Sequence, residues 1–234
     1  MPNAYFQFKR FTIHQDRCAM KVCTDSCILG AWTASRLGYA KNMLDIGSGT
    51  GLLPLMLSQK NEIPIDTIEL DPESAAQARE NIQQSPWAGQ IQVLEGDARN
   101  FSFHTQYDFI ITNPPFYESD LHSPLEKKNK AKHDKSLTLE QLMDIVDKNL
   151  RQDGNFSILL PFHRTAYFDD LAAAHGFSPR ERLVIRQTPA HTPFRSIGRF
   201  SRQTPSEVPA EELIIQDEKR KNSQAFGKLM GDYY

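Results

Sequence analysis

Asp45-Ile46-Gly47-Ser48-Gly49-Thr50-Gly51 joins an apolar run to a segment with helical periodicity, so it predicts a turn from a strand into a helix. Glycines allow such a turn to be tight and let the backbone approach a ligand closely. A generic strand-to-helix turn and the dinucleotide pattern G-x-G-x-x-G are alternatives, but the spacing here is G-x-G-x-G. Asp45 disfavours a pyrophosphate, because like charges would meet in a partly dry crevice. The stretch therefore predicts a site for a cationic ligand.

From this turn outward, short apolar runs alternate with longer helical patterns, which is typical of βαβ units and a parallel sheet. The chain has 234 residues, enough for one large α/β domain with additions. Strands are predicted at residues 43–46, 65–69, 91–94, 107–112, 155–160, 182–186 and 211–216. Helices are predicted at residues 50–59, 72–84, 139–150 and 165–175. The expected fold class is therefore α/β, with a Rossmann-like, doubly wound sheet of seven strands.

Two kinds of segment fall outside this alternation. Residues 1–40 are predicted to form an N-terminal appendage, a small hairpin followed by a helix, packed on a core domain at residues 41–234. The polar stretches at residues 117–136 and 188–209 are longer than ordinary connections. Their length indicates substrate loops or lids.

Acidic residues stand at the ends of the second and third predicted strands, Glu69 and Asp97. Because ligands of open α/β sheets bind at the carboxyl ends of strands, both are expected to lie in one crevice with Asp45. Glu69 is predicted to be the ligand-binding acid at the end of the second strand, because a carboxylate can accept two hydrogen bonds at once. Asp71 is its competitor, and Glu69 is preferred because the apolar run breaks there. Each acid taken alone is equally consistent with a solvated strand end or a helix cap.

The pattern Asp-x-Gly-x-Gly-x-Gly resembles the cofactor loop of class I S-adenosylmethionine-dependent methyltransferases. That resemblance implies S-adenosyl-L-methionine as the cofactor and S-adenosyl-L-homocysteine as its product. It also implies a mostly parallel sheet with an antiparallel last strand, ribose hydroxyls bound by Glu69, and an adenine amine bound by Asp97. The cofactor-binding residues expected are Asp45, Gly47, Ser48, Gly49, Thr50, Gly51, Glu69, Leu70, Asp97, Ala98 and Asn113.

The fourth predicted strand is followed by Asn113-Pro114-Pro115-Phe116. A double proline is one way to end a strand, but the whole motif matches the catalytic motif of methyltransferases that modify amino nitrogens of adenine, guanine or glutamine. Such a nitrogen is a poor nucleophile with two N–H donors. It needs two fixed acceptors, predicted to be the Asn113 side-chain oxygen and the Pro114 carbonyl oxygen. The prolines hold that carbonyl rigidly, and Phe116 offers a face on which a base stacks.

The composition excludes several classes of protein. Hydrophobic residues make up 39% and charged residues 24%, so the chain is not a disordered one. Because the chain has no apolar run of membrane-spanning length and no signal-peptide pattern, we expect a cytoplasmic protein that does not bind membranes. Cys18, Cys23 and Cys27 form neither a disulfide framework nor a standard zinc spacing, so no metal is expected.

Charge is distributed unevenly along the chain. The net charge of −2 argues against a protein that binds nucleic acid indiscriminately. Three local basic clusters are nevertheless expected to adjoin the crevice. Each alone is more often a solvated face, but together they fit a polyanion with one base inserted. The N-terminal cluster is Lys9, Arg10, Arg17 and Lys21, the central cluster is Lys127, Lys128, Lys130, Lys132 and Lys135, and the C-terminal cluster is Arg180, Arg182, Arg186, Arg195, Arg199 and Arg202. The residues predicted to bind RNA are Lys9, Arg10, Arg17, Lys21, Lys130, Lys132 and Arg195.

Over nearly its whole length, the chain resembles the bacterial tRNA1(Val) adenine-N6 methyltransferases. The resemblance implies methylation of the exocyclic nitrogen of the adenosine immediately 3′ of the valine tRNA anticodon, adenosine 37. We expect the protein to be a monomer. The segments that carry the resemblance, besides the glycine turn, are Phe6-x-Phe8-Lys9-x-Phe11-x-Ile13, Cys18-Ala19-Met20-Lys21-Val22-x-Thr24-Asp25, Leu29-Gly30-Ala31-Trp32, Ala78-Arg79-Glu80-Asn81, Ser85-Pro86-Trp87, Thr112-Asn113-Pro114-Pro115-Phe116-Tyr117, Leu137-Thr138-Leu139 and Asp232-Tyr233-Tyr234.

Other functions stay open at this point. The same Asn-Pro-Pro-aromatic device serves guanine-N2 methylation of ribosomal RNA and glutamine-N5 methylation of release factors. A duplicated domain, common in the first class, and an N-terminal helical domain, usual in the second, are both absent from this sequence. A non-catalytic module that binds RNA or cofactor is a third alternative, and the intact Asn113 argues against it. A nicotinamide oxidoreductase is the remaining one.

Overall fold

A computed structural model describes residues 3–18, 20–114 and 137–234. Within these ranges the strands are β1 (Tyr5–Gln7), β2 (Thr12–His14), β3 (Met43–Ile46), β4 (Ile65–Glu69), β5 (Ile91–Glu95), β6 (Tyr107–Thr112), β7 (Leu150–Pro161), β8 (Ser178–Arg186), β9 (Arg195–Ser201) and β10 (Ala210–Ile214). The helices there are α1 (Thr24–Ala34), α2 (Leu52–Ser58), α3 (Pro72–Gln83), α4 (Leu139–Asn149), α5 (Thr165–Ala174) and α6 (Gln224–Met230).

The large sheet has the strand order β10-β8-β9-β7-β6-β3-β4-β5. The chain enters this sheet at β3, moves outward through β4 to β5, and returns to the other side of β3 as β6. Ligands of doubly wound sheets bind at such a reversal, just beyond the carboxyl ends of the strands. The predicted α/β, Rossmann-like fold is confirmed. In such a fold, a ligand-binding site is expected at the ends of β3 and β6.

The strand count and the position of the antiparallel strand differ from the prediction. The large sheet contains eight strands instead of seven, because β9 lies inside residues 188–209, which were predicted to be a loop. β9 pairs antiparallel with both β7 and β8. The last strand, β10, pairs parallel with β8, so the antiparallel strand is the one before it.

β9 is buried on both faces of the sheet, which explains why its sequence lacks the alternation of polar and apolar residues that predicts a strand. Ile197 belongs to the hydrophobic core on one face of the sheet and Phe200 to the core on the other. A strand covered on both sides has no need of alternating polar residues. Its two arginines, Arg195 and Arg199, form ion pairs that only the tertiary structure brings together.

Helices cover both faces of the sheet. Ile111 faces the core that includes residues of α1, α2 and α6, whereas its neighbour Ile110 faces the core that includes residues of α4 and α5. This alternation follows from the two-residue period of a strand. None of the described helices is long and apolar enough to cross a membrane.

The N-terminal segment begins with the predicted hairpin. β1 and β2 pair antiparallel, and the rings of Phe8 and Phe11 stack with centroids 4.5 Å apart beside the turn. α1 follows and is buried over most of its length, against the same core as α2. The division of the chain into an appendage and a core domain at residue 40 stays a prediction.

Candidate active site

A cleft opens at the carboxyl ends of the central strands, where the strand order reverses. Eight predicted site residues line it: Gly47, Gly49, Glu69, Leu70, Asp97, Ala98, Asn113 and Pro114. Four more, Asp45, Ser48, Thr50 and Gly51, are buried behind its wall. The lining also includes residues that the sequence reasoning did not single out, among them Met20, Ser74, Arg99 and Leu137.

The glycine turn forms one wall of this cleft. Gly47, Gly49 and Gly51 have φ angles of 87°, 51° and 80°, a region that residues with a Cβ rarely adopt. Within the described part of the chain, no atom of a residue other than the glycine and its two chain neighbours lies within 4 Å of where a Cβ would stand at Gly47 or Gly49. The space in front of the turn is therefore open, and a ligand has direct access to the backbone.

Glu69 braces the turn from the end of β4. Its Oε2 accepts a hydrogen bond of 2.8 Å from the backbone N–H of Gly49, and its Oε1 accepts one of 3.0 Å from the N–H of Asp71. Each carboxylate oxygen keeps a further lone pair for a ligand. Asp71, the alternative considered for the ribose, instead caps α3 by accepting from the N–H of Ser74 at 2.8 Å. This division of roles favours Glu69 as the ribose-binding acid.

Asp45 lies beneath the turn, with none of its surface exposed. Its Oδ2 accepts a hydrogen bond of 2.7 Å from the Thr67 hydroxyl, while Oδ1 has no hydrogen-bond partner in the described part of the chain. Burial, reinforced by the negative charge of Glu69, raises the pKa of the Asp45 carboxyl to about 7. A cation in front of the turn would stabilise the ionised form, so this side chain suits a cationic ligand.

Asp97 is held by its own neighbour. Arg99 donates from Nη2 at 2.7 Å and from Nε at 2.9 Å to this carboxylate, and its backbone N–H donates at 3.0 Å. These bonds lower the pKa of Asp97, and they occupy the lone pairs that an adenine amine would use. The predicted contact between Asp97 and adenine stays a prediction, and it requires Arg99 to share or release the carboxylate.

Asn113 stands at the end of β6, on the far side of the cleft from Glu69. Its Nδ2 donates a hydrogen bond of 2.8 Å to the hydroxyl of Ser26 on α1. The Oδ1 of the same amide is buried without a hydrogen-bond partner among the described residues. A buried, unsatisfied carbonyl oxygen is costly, so it is expected to receive a donor from a ligand.

Asn81 on α3 ties the N-terminal segment to the glycine turn. Its Nδ2 donates to the carbonyl oxygens of His14 and Thr50 at 2.8 Å and 2.9 Å, and its Oδ1 accepts from the N–H of His14 at 2.9 Å. The Cys18 thiol lies 3.6 Å from the carbonyl oxygen of Gly49. These contacts attach the N-terminal segment to the glycine turn that lines the cleft.

The cations predicted to bind RNA in the N-terminal segment lie in two places. Arg17 pairs with Glu80 on α3, one turn beyond Gln77, which holds its backbone. Arg10 lies over the ring of Trp87, 5.1 Å from its centroid. α3 starts at the cleft, and its 12 residues extend about 18 Å away from it. Trp87 follows the end of α3, so it lies near the amino ends of the strands, opposite the cleft.

The expectation that this whole cluster adjoins the cleft is therefore not met for Arg10. Its neighbour Lys9 is bound through its backbone N–H to the carbonyl oxygen of Tyr233, at 2.9 Å near the carboxyl end of the chain. Lys21 donates at 3.4 Å to the carbonyl oxygen of Asn3. The RNA contacts of these residues stay predictions.

The C-terminal arginines are more fully neutralised than their local sequence suggests. Acidic partners come from other elements, so a count of nearby charges along the chain overstates the positive potential of this region. The pairs are Arg182 with Asp169, Arg186 with Glu212, Arg195 with Asp25, Arg199 with Glu181 and Arg202 with Asp147.

Several predicted residues lie outside the described part of the chain. Among them are Pro115 and Phe116 of the catalytic motif and the cluster that includes Lys130 and Lys132, together with the loop predicted at residues 117–136. In the part that is described, no three His, Cys, Asp or Glu side chains come together as a possible metal site, and all three cysteines are free thiols.

The family model and the individual proteins that match this sequence are methyltransferases. The family model described as the methyltransferase small domain matches residues 28–164. A tRNA1(Val) (adenine(37)-N6)-methyltransferase of Dyadobacter fermentans is 45% identical over 201 residues, which are 86% of this chain and 83% of that protein. A protein of the same name from Parabacteroides distasonis is 35% identical over 236 residues, covering 100% of this chain and 99% of its own.

Comparison with solved structures supports the fold. A protein of Agrobacterium tumefaciens, described as a predicted O-methyltransferase, superimposes with a TM-score of 0.69 at 15% identity, covering 89% of this chain and 96% of its own. A glycopeptide N-methyltransferase in complex with S-adenosyl-L-methionine gives a TM-score of 0.58 at 12% identity, covering 78% of this chain and 100% of its own. At such identities the likeness concerns the fold alone.

Proposed function

Since the chain belongs to the family of tRNA1(Val) (adenine(37)-N6)-methyltransferases, we propose that it transfers a methyl group from S-adenosyl-L-methionine to the exocyclic N6 of an adenosine in tRNA. The proposed acceptor is adenosine 37 of the valine tRNA anticodon loop, as the names of the relatives state for those proteins. We propose that the protein acts as a cytoplasmic monomer without a metal ion.

The observation that carries this proposal is the buried Oδ1 of Asn113, which has no hydrogen-bond partner in the described part of the chain although it lines the cleft. An exocyclic amine donates two hydrogens and therefore matches a pair of acceptors. Asn113 Oδ1 supplies one of them, and the carbonyl oxygen of the adjoining Pro114 supplies the other.

The chemistry that this arrangement supports is an in-line displacement. S-adenosyl-L-methionine, when bound, supplies an activated methyl group. The two acceptors hold both N–H bonds of the amine and aim its lone pair at the methyl carbon. The cofactor would supply this methyl group from its sulfonium, with the neutral thioether as the leaving group, so the nitrogen would take up the positive charge. The nitrogen then loses a proton, so Asn113 is not required to act as a base.

The cofactor fits the groups on the other side of the cleft. The open space before Gly47 and Gly49 admits a ligand to the backbone, and Glu69 is placed to accept from ribose hydroxyls. Leu70, 43% exposed, and Ala98 offer apolar surface for the adenine ring. The carboxylate of Asp45 favours the cationic end of the molecule from behind the turn.

The raised pKa of Asp45 predicts a pH-dependent affinity for the cofactor. With that pKa at about 7, the carboxyl is mostly neutral on the acidic side and ionised on the alkaline side. Because the ionised form favours a cation, the affinity is expected to rise about tenfold from about pH 6 to about pH 8 and then level off. Calorimetric titration across this range measures the effect.

The control for this prediction is Asp45→Asn, which has nearly the same shape and no titratable group. Its affinity is expected to be weaker at alkaline pH, and its profile contains only the ionisation of the ligand and of other residues. Parallel profiles for the two proteins would contradict the role of Asp45.

A base that reacts in this cleft has to leave its stack first, which costs least in a single-stranded loop. Arg17, Lys21 and Arg195 are the proposed RNA contacts near the cleft, with Lys9 and Arg10 as more distant ones. Lys130 and Lys132, which lie outside the described residues, are proposed from the sequence alone. Such contacts to phosphates make binding depend on salt.

The test is to incubate the protein with methyl-labelled cofactor and, separately, with unmodified valine tRNA, ribosomal RNA, DNA and a release factor. Mass spectrometry of the product is expected to find N6-methyladenosine at position 37 of the tRNA. Label in guanine N2 or glutamine N5 would keep the mechanism and overturn the substrate. No label in any acceptor, despite bound cofactor, would favour a non-catalytic binding module.

A further inference from the structure

We propose that Ser26 is a positioning residue that sets the orientation of the Asn113 amide, an inference that rests on the methyl-transfer function proposed above. Ser26 lies in the first turn of α1, with 6% of its surface exposed. Its hydroxyl oxygen is 2.8 Å from Asn113 Nδ2. This hydrogen bond links the N-terminal segment directly to the acceptor that the reaction needs.

The orientation of this amide decides whether the site works. The oxygen and nitrogen of an asparagine side chain have similar shapes, and a half-turn about the last side-chain bond exchanges them. In one orientation, the oxygen of the amide faces the substrate amine and can accept its hydrogen. In the other, the NH₂ group of the amide faces the N–H groups of the amine, and no hydrogen bond forms. The partner of the opposite end therefore determines the chemistry of the site.

A neighbouring thiol can fix the direction of the Ser26 hydroxyl. Its hydroxyl is also 3.1 Å from the Cys23 sulfur, one turn earlier. When the hydroxyl hydrogen is donated to that sulfur, only the oxygen lone pairs face the amide, and these accept from Nδ2. Asn113 Oδ1 is then left for the substrate, as its lack of a partner among the described residues requires.

Ser26 is carried by a rigid support. Asp25, the preceding residue, forms an ion pair of 2.8 Å with Arg195 on β9, and the rest of α1 is packed into the core. The methyltransferase small domain match begins at residue 28, so Ser26 lies just before it. The contact is thus supplied by the N-terminal segment of this chain and not by the matched domain.

Three substitutions separate the hydroxyl from the space it fills. Ser26→Ala and Ser26→Val remove the hydroxyl, and Ser26→Thr keeps it in a side chain of the same shape as valine. We expect alanine and valine to lower kcat by about tenfold or more, since misplacement of a reacting group has effects up to about 10²-fold. Threonine is expected to recover most of the rate. Cofactor affinity is expected to stay close to that of the wild type.

A spectroscopic measurement tests the same contact without catalysis. The side-chain N–H pair of Asn113, assigned by comparison with Asn113→Ala, is expected to shift and to exchange faster with solvent in Ser26→Ala. An unchanged signal, a kcat within twofold of the wild type, or equal rates for threonine and valine would overturn the proposal. An inactive wild type whose Asn113 signal still responds to Ser26→Ala would refute methyl transfer and leave the contact intact.

Discussion

Replacement of Asn113 by alanine is expected to lower kcat for methyl transfer by about 10²- to 10³-fold, the usual effect of removing one fixed hydrogen-bonding group from an active site. The amine then loses one of its two acceptors, and its lone pair is no longer aimed at the methyl carbon. Glu69 and the glycine turn hold the cofactor side of the cleft independently, so the Kd for S-adenosyl-L-methionine is expected to change by less than about twofold. Single-turnover transfer and calorimetry measure the two quantities.

Asn149→Ala is a suitable control for this experiment. Asn149 is also a buried asparagine, but its Nδ2 donates to the carbonyl oxygen of Ile145 at the end of α4. Its loss is expected to lower the melting temperature without lowering kcat. If Asn113→Ala retained near wild-type kcat, the two-acceptor mechanism would be refuted, whichever substrate the enzyme uses.

The parts of the site that follow a local rule were predictable from the sequence. Three residues of the glycine turn need positive φ, and Glu69 marks the point where an apolar strand ends. The end of β6 carries its motif on consecutive residues. In each case the information lies in a few neighbouring positions, so no tertiary contact is needed to read it.

The parts that depend on packing were not predictable in this way. Ser26 meets Asn113 across 87 positions of sequence, and no local pattern distinguishes it from a serine that merely starts a helix. The pairing of Asp97 with Arg99 is local, but an acid followed two positions later by an arginine does not by itself indicate whether the carboxylate binds its neighbour or a ligand. The sequence does not predict β9 because the strand is buried on both faces and the acidic partners of its two arginines come from other elements.

Arg10 shows the same limit for surface charge. Arg10 is close in sequence to Arg17, but the hairpin turn places it over Trp87, near the amino ends of the strands and away from the cleft. Proximity along the chain therefore says little about which cations meet a bound polyanion. Arg17 and Lys21, which follow β2, therefore stay the predicted RNA contacts of the N-terminal segment near the cleft.

Replacement of Glu69 by alanine is expected to weaken cofactor binding by about 10²-fold. Two hydrogen bonds to a charged group, each contributing roughly 1.5 kcal/mol, correspond to a change of this size. The loss is expected to be compounded by the glycine turn, because the N–H of Gly49 gives up its 2.8 Å partner and the turn is no longer fixed. Calorimetry with S-adenosyl-L-methionine measures the affinity directly. The cofactor affinity of Glu69→Gln is expected to lie between those of the wild type and Glu69→Ala, since an amide offers one accepting oxygen instead of two.

Glu95 provides the matched control, because it lies directly opposite Glu69 at the end of the adjacent strand, in the register of β4 and β5. Its carboxylate forms an exposed ion pair of 3.1 Å with Arg79. Exposed pairs contribute little to stability, so Glu95→Ala is expected to leave both the fold and the cofactor affinity nearly unchanged. Equal losses in the two variants would mean that the general negative charge at this edge of the sheet attracts the cofactor. A loss confined to Glu69 would mean that the geometry of its two oxygens does so.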